Sequence, residues 1–165
     1  MTVITKTSLA WILPIAMLAG LAGHAAADSM TDREGWRVLR TGQTFDTLVT
    51  QLEASVKANQ MGLVTAASAS AGAASQNITI PGNRVVGVYR NDFARRMLKA
   101  SVAAGIEAPI RFYITENSDQ TATLSYKLPS TVFAPYFDEG GEELRKLASE
   151  LDEIFARIAD QAAKS

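Results

Sequence analysis

The stretch GIEAPIRFYITENSDQTATLSYKLPS, residues 105–130, decides the fold because it encodes a β-hairpin. Ile110, Phe112 and Ile114 occupy alternate positions before the polar turn ENSDQ, and a second alternating run, ATLSYK, follows the turn. Alternation with a period of two predicts strands that bury one face and expose the other. Arg111 and Tyr113 then share one face of the first strand, and Lys127 lies on the opposite face from Tyr126 on the second. These polar side chains either line a site or simply face water.

Other strands and helices are predicted on both sides of this hairpin. In chain order they are a strand at 36–42, a helix with apolar positions at 45–56, a strand of small residues from residue 63, a strand at 84–90, a helix with apolar positions at 93–102, the hairpin, and a helix with apolar positions at 144–158. The order β-α-β-β-α-β-β-α predicts an α+β domain with a single, mainly antiparallel sheet and helices packed on one face. The other sheet face stays open to water, a ligand or a second subunit.

Polar residues and glycines predict where the first two helices begin and end. Thr44 can accept a hydrogen bond from the first turn of the first helix, and Gly62 supplies its stop. Asn91 or Asp92 caps the second helix, and Gly105 ends it. The inward stripe of this second helix is predicted to contain Phe93, Met97, Leu98 and Val102.

Residues 67–77 are biased towards Ala, Ser and Gly. They include few large side chains that could pack, so the composition predicts a mobile loop or a thin edge strand. Two roles are open for this segment: a functional flap over a cavity, or a passive linker.

The first 27 residues read as a secretory signal peptide. Lys6 provides a positive start, Leu9–Gly23 is uncharged and apolar, and Ala25 and Ala27 are the small residues that a signal peptidase reads. Cleavage is expected before Asp28, because the apolar core falls short of the ~20 residues that an uncleaved spanning helix needs. We therefore expect a periplasmic protein with a polar leader at 28–35, a single domain at 36–165 and no membrane association after cleavage.

Composition excludes several function classes. Removing the signal peptide takes away one of the 16 Lys and Arg residues and none of the 17 acidic residues, so the charge is weakly negative and no nucleic acid partner is expected. The chain has no cysteine, and its single histidine, His24, lies in the removed segment. Histidine triads, cysteine nucleophiles, His or Cys zinc sites and covalent haem attachment therefore lack their side chains. The acidic run at 138–143 is explained by a helix start rather than by a cation site. We expect no metal and no cofactor.

The segments YRNDFARRMLKASVAAGIEAPIRFYITENSDQTATLSYKLPS, residues 89–130, and FDTLVTQLEASVKANQMGL, residues 45–63, resemble the domain of unknown function 302 family. The resemblance rests on an Asn-initiated helix, a proline at Pro109 before a strand, a polar turn, and a strand that closes on Pro129. It implies a TATA-binding-protein-like topology and pairing into dimers, and it implies no activity. Many relatives carry a cysteine where this chain has Ile110, so a thiol or metal role does not transfer, and the insertion at 69–76 is a departure from the family pattern.

Three functions remain after these exclusions. The first is a non-enzymatic accessory domain that binds a small apolar or amphipathic ligand, or a partner, with Arg90, Arg111 and Tyr113 as candidate contacts; the same residues could be ordinary solvent-facing positions. The second is a homodimeric structural module that uses the open sheet face as its interface. The third is a carboxylate-based hydrolase, which is disfavoured because Glu107 and Glu116 would be roughly 30 Å apart on an extended chain.

Overall fold

The computed structural model describes residues 30–164, which form one five-stranded antiparallel sheet with helices. The strands are β1 (Trp36–Arg40), β2 (Gly62–Ala67), β3 (Asn83–Tyr89), β4 (Ile110–Glu116) and β5 (Ala122–Lys127). Their order across the sheet is β1-β5-β4-β3-β2, so the predicted hairpin supplies the two strands β4 and β5 near its middle. The expected signal peptide and its cleavage site between Ala27 and Asp28 lie outside the described residues.

Five helices accompany the sheet in the described part of the chain. They are α1 (Phe45–Ala58), α2 (Ala69–Ala74), α3 (Asn91–Ala100), α4 (Pro129–Phe133) and α5 (Phe137–Ala163), with 3₁₀ turns at Ala103–Glu107 and Ala134–Tyr136. The predicted α+β class and the order β-α-β-β-α-β-β-α are confirmed, and α2, α4 and the 3₁₀ turns are additions to that order. None of these helices is both long enough and apolar enough to cross a bilayer.

The core lies between one face of the sheet and the helices α1 and α5. Phe112 of β4, Tyr126 of β5 and Phe155 of α5 form an aromatic cluster, with ring centroids 4.6 Å apart for Phe112–Phe155 and 5.1 Å apart for Phe112–Tyr126. The predicted stripe of the last helix is confirmed as buried: Leu144, Leu147, Leu151, Ile154, Phe155 and Ile158. We refer to this side of the sheet as the covered face.

The alternate strand residues form the open face. In the strand register, Val38 lies opposite Ser125, Ser125 opposite Tyr113, and Tyr113 opposite Val85, which in turn lies opposite Ala67. Directly opposed residues of antiparallel strands point to the same side of a sheet. One row of mostly apolar residues therefore crosses all five strands on the open face.

The two ends of α1 show which local sequence signals predict a helix boundary correctly and which do not. The hydroxyl of Thr44 accepts a hydrogen bond from the amide of Thr47, as predicted for an N-cap. The predicted stop at Gly62 is wrong, because α1 ends at Ala58 and Gly62 opens β2. Gln60, with φ of 60°, adopts the left-handed conformation that reverses the chain after the helix. Glycine often occupies this position, but other residues also adopt the conformation.

The predictions for α3 are wrong at both ends. The helix starts at Asn91 without a side-chain cap, and Asp92 instead accepts hydrogen bonds from the Arg90 guanidinium. It ends at Ala100, because the chain leaves the helix at Ser101 and Gly105 falls in the following 3₁₀ turn. Phe93 and Met97 are buried as predicted, whereas the other two residues of the predicted stripe, Leu98 and Val102, are exposed.

The Ala/Ser-rich segment is partly helical, which corrects the prediction of a loop or edge strand. The Ser68 hydroxyl accepts a hydrogen bond from the amide of Ala71 and caps α2. Alanine is the best helix former, so a capped alanine run favours one and a half turns of helix even without buried side chains. The Asn83 side chain accepts a hydrogen bond from the Ala69 amide, which ties α2 to the start of β3.

Candidate ligand-binding site

A cavity of about 610 Å³ lies on the open face of the sheet. Its lining comes from all five strands, from the start of α2, from the 3₁₀ turn before the hairpin and from α4 after it. The lining residues are Trp36, Ala67, Ser68, Ala69, Asn83, Val85, Glu107, Ile110, Arg111, Tyr113, Tyr126, Lys127 and Val132. Most of these side chains are apolar or aromatic, and the charged ones are few.

Small side chains line the part of the cavity next to the edge strand, at Ala67, Ser68 and Ala69. Ser125 lies between Val38 and Tyr113 in the row of opposed residues, and its hydroxyl donates a hydrogen bond to the Tyr113 carbonyl at 3.4 Å. Gly87 of β3 has no space for a side chain, since a Cβ atom there would lie 2.1 Å from Thr65 Oγ1 and 2.9 Å from Pro109 Cγ. Thr65 and Pro109 therefore fill the space beside Gly87, and Ser125 is fully buried, so the cavity is lined by their neighbours.

Two cations and an aromatic ring form the next row across the open face. Trp36 lies opposite Lys127 in the β1–β5 register, and continuing the β4–β5 register places Arg111 on the other side of Lys127. The Lys127 ammonium is 5.6 Å from the centroid of the Trp36 ring, within the range of a cation–π contact. Neither Arg111 nor Lys127 forms an ion pair with any residue from 30 to 164.

The acidic residue of the cavity already has a partner. Glu107, in the 3₁₀ turn before β4, accepts a hydrogen bond of 2.9 Å from the Tyr136 hydroxyl. This hydrogen bond stabilises the protonated phenol and raises the pKa of Tyr136 above its ordinary value. Glu107 thus joins the turn before β4 to the segment after β5 at one end of the cavity.

The structure brings together two of the three predicted contacts. Arg111 and Tyr113 both line the cavity, as their shared strand face predicted. Arg90 is elsewhere: it follows β3, its guanidinium donates to Asp92 at 2.7 Å, and it lies 4.3 Å from the ring centroid of the buried Phe93. The hydrogen bond from Arg90 lowers the pKa of Asp92, so this pair has a structural role at the start of α3.

Trp36 is a site residue that the sequence did not single out, and Lys127 was noted in the hairpin but not included among the predicted contacts. Both occupy strand positions with the correct alternation, but their proximity to Arg111 depends on β5 lying between β1 and β4. That neighbour relation joins residues that are far apart in the sequence, so no local pattern could have revealed it.

The two carboxylates that were considered for a hydrolase are not next to each other in the structure. Glu107 precedes β4 and Glu116 ends it, and Glu116 accepts a hydrogen bond of 2.7 Å from the Gly82 amide. Within residues 30–164, no group of three or more His, Cys, Asp or Glu side chains is arranged to hold a metal ion. The acidic run at 138–143 instead surrounds Gly141, whose φ of 57° breaks α5 before its long apolar-striped part.

Comparison with known proteins places the chain in a family. The family model "Domain of unknown function DUF302" matches residues 37–162, which is most of the chain. The chain belongs to the DUF302 family. Among solved structures, the uncharacterized conserved protein DUF302 from Bacillus stearothermophilus superposes with a TM-score of 0.69 at 14% sequence identity, covering 79% of this chain and 99% of that chain. No curated protein matches the chain.

The DUF302 match confirms the resemblance that residues 45–63 and 89–130 indicated. At 14% identity, the superposition supports the fold alone and carries no information on ligands. Ile110, the position at which the resemblance implied a cysteine in many relatives, is a buried core residue that borders the cavity and contributes only apolar surface there. Any function of this DUF302 domain must therefore be argued from the cavity itself.

Proposed function

We propose that this protein is a non-enzymatic, exported binding domain that holds a small apolar or amphipathic ligand in the open-face cavity. The observation that carries the proposal is a cavity of about 610 Å³ with mainly apolar walls on the sheet face opposite the core helices. Pockets for small molecules have volumes of about 300–1,000 Å³ and combine apolar walls with a few polar groups. The open-face cavity has this size and this composition.

The walls of the cavity suit a ligand with a flat or extended apolar part. Tyr113 and Trp36 present aromatic rings, and Val85 and Ala67 extend the apolar surface to the edge strand β2. Each 100 Å² of apolar ligand surface removed from water contributes about 2.5 kcal/mol of favourable free energy before the entropic costs of binding. Binding at micromolar concentration corresponds to about 8 kcal/mol, so the ligand must bury more than about 330 Å² of apolar surface or add polar contacts.

A binding role accounts for the carboxylates better than a hydrolytic one. Glycosidase-type chemistry requires two carboxyl groups close together across one reacting bond. Glu107 and Glu116 lie at opposite ends of β4, and each is held in a hydrogen bond to the surrounding fold. Glu107 and Glu116 therefore do not form such a pair with each other.

A homodimer that covers the open face is the second candidate. The observation that favours it is the row Val38, Ser125, Tyr113, Val85 and Ala67, which spans the whole sheet without a charged residue. Apolar patches on a protein surface mark interfaces as well as ligand sites. The two candidates differ in whether the cavity remains accessible in solution.

The binding proposal is tested with N-phenyl-1-naphthylamine, an uncharged dye that fluoresces in apolar sites. The full chain is expressed in a bacterium, and the protein recovered from the periplasm is compared as wild type, Ala67→Phe and Ala66→Phe. Both alanines are exposed on β2, but only Ala67 lines the cavity, because Ala66 lies opposite the core residue Val86. We expect saturable dye binding that Ala67→Phe weakens at least tenfold, because the new ring occupies the cavity, and that Ala66→Phe leaves unchanged.

Equal dye affinity in the two variants would contradict the proposal. A native mass spectrum of the same sample separates the second candidate: a dimer that takes up no dye would replace the binding role with the structural one. The same spectrum tests export, since we expect a chain that starts at Asp28. Recovery from the membrane fraction of a chain that starts at Met1 would contradict it.

A further inference from the structure

We infer that the ligand of this cavity is an organic anion: an apolar body that carries a single carboxylate or similar acidic group. The inference rests on the proposed function and narrows its ligand class. It is drawn from Arg111, Lys127 and the apolar residues next to them.

Arg111 and Lys127 place two positive charges side by side on neighbouring strands. The β4–β5 register, in which Phe112 lies opposite Tyr126, puts Arg111 opposite Lys127 on the open face. Like charges directly opposite each other destabilise a sheet, whereas an anion between them would relieve the repulsion. The pair therefore forms a positive site that lacks a counter-charge in the described part of the chain.

Two other strand arginines show where the fold itself supplies carboxylates, whereas Arg40 at the end of β1 donates only to the Met30 carbonyl. Arg84 of β3 pairs with Glu53 of α1 at 3.1 Å, and Arg37 of β1 pairs with Asp160 of α5. Both belong to the covered side of the sheet, where helices supply carboxylates. On the open face no helix of the described chain brings an acid to Arg111 or Lys127, so their counter-charge comes from solvent ions or from a bound ligand.

Glu107 does not serve as that counter-charge, although it lines the same cavity. Its carboxylate forms no ion pair with Arg111 or Lys127 and is hydrogen-bonded to the Tyr136 hydroxyl at 2.9 Å. Glu107 therefore limits the anionic group of the ligand to the strand side of the cavity, above the two cations.

The apolar neighbours of the two cations give the ligand its second property. Trp36 lies beside Lys127, and Tyr113 is on the same face of β4 as Arg111, two residues away. A carboxylate bound at the cations thus directs the rest of the ligand over Tyr113 towards Val85. The guanidinium of Arg111 can donate two parallel hydrogen bonds to such a carboxylate, a geometry that an uncharged hydroxyl cannot match.

The test uses decanoate, decanol and decyltrimethylammonium, which share one alkyl chain and differ in charge. Each displaces N-phenyl-1-naphthylamine from the wild-type protein below its micelle concentration. We expect decanoate to bind about tenfold more tightly than decanol, because charge-assisted hydrogen bonds contribute on the order of the 1.4 kcal/mol that corresponds to a tenfold change. The ammonium should bind most weakly, and added salt should reduce only the advantage of decanoate.

Three variants locate the effect. Arg111→Gln and Lys127→Gln change exposed side chains, and each should remove most of the preference for decanoate over decanol. Arg90→Gln removes a positive charge outside the cavity and should leave the preference unchanged. Equal binding of decanoate and decanol, with displacement still sensitive to Ala67→Phe, would overturn the anion inference and leave the binding role intact. If no dye binds, or Ala67→Phe has no effect on it, the proposed function itself fails.

Discussion

The covered face and the open face consist of alternate residues of the same strands, yet they differ in packing and in charge. On the covered face, Phe112, Ile114 and Leu124 are fully buried under α1 and α5. On the open face, the residues between them include Tyr113 and Arg111, which line a cavity. Strand alternation determines which side each residue takes, and only the covering elements determine whether that side becomes core or site.

Charge differs between the two faces as clearly as packing does. On the covered side, Arg37, Arg84 and Arg96 each reach a carboxylate on a helix. On the open side, Arg111 and Lys127 reach none among the described residues. The ion pairs of the covered side belong to the fold, whereas the two cations of the open side are available to a ligand.

The largest expected difference between the faces is in stability, and neighbouring residues of β4 measure it. Phe112→Ala should lower the free energy of unfolding by about 3–5 kcal/mol, because it removes a fully buried ring that stacks on Phe155. Tyr113→Ala should cost about 1 kcal/mol, because its ring is only half-buried, and should weaken dye binding. Urea unfolding followed by circular dichroism gives both values; similar losses for the two variants would show that both faces are packed as core.

A smaller difference concerns pH. Arg96 of α3 forms two hydrogen bonds to Glu150 of α5, at 2.7 and 3.0 Å, and thereby lowers the pKa of Glu150. A lowered carboxylate pKa contributes stability above about 4.3, the ordinary pKa of glutamate, and this contribution is lost as the pH falls through the lowered value. Glu150→Gln should therefore cost less than about 1 kcal/mol at neutral pH, since the pair is partly exposed, and nothing in strong acid.

The control for this pH effect is Glu34→Gln, which changes an exposed glutamate before β1 that has no ion pair among the described residues. Its urea midpoint should follow that of the wild type at every pH. A stability loss for Glu150→Gln that persists in strong acid would assign its effect to packing instead of to charge.

The fold was predictable where one strong pattern acts over a whole element. The alternation in β4 and the spacing of Leu144, Leu147 and Leu151 in α5 identified buried positions correctly, because these positions face one continuous core. The stripe of α3 failed at Leu98 and Val102, because the helix ends early and its last turn leaves the core. Short helices such as α2 were missed because their sequence signal is weak. A capping residue and a few alanines predict a helix less strongly than the Ala, Ser and Gly composition of the segment predicts a loop.

The site was predictable only in part, for a geometric reason. Arg111 and Tyr113 are two residues apart on one strand, so alternation places them together. Gly87 of β3 lies opposite Arg111 and therefore shares its face of the sheet. Arg90 is three residues after Gly87, and because successive strand residues alternate between the two faces, Arg90 is on the other side. Trp36 and Lys127 join the site through the strand order β1-β5-β4, which emerges from the packing of the whole chain.

The most direct test of the central claim, that the open face is the binding face, is backbone amide chemical-shift mapping by NMR during a titration with decanoate. We predict saturable shifts that are largest for Val85, Tyr113 and Lys127, with the α5 amides of Leu147 and Phe155 almost unchanged. Shifts concentrated at the exposed apolar residues Val102 and Ile106, or no saturable shift, would contradict the account.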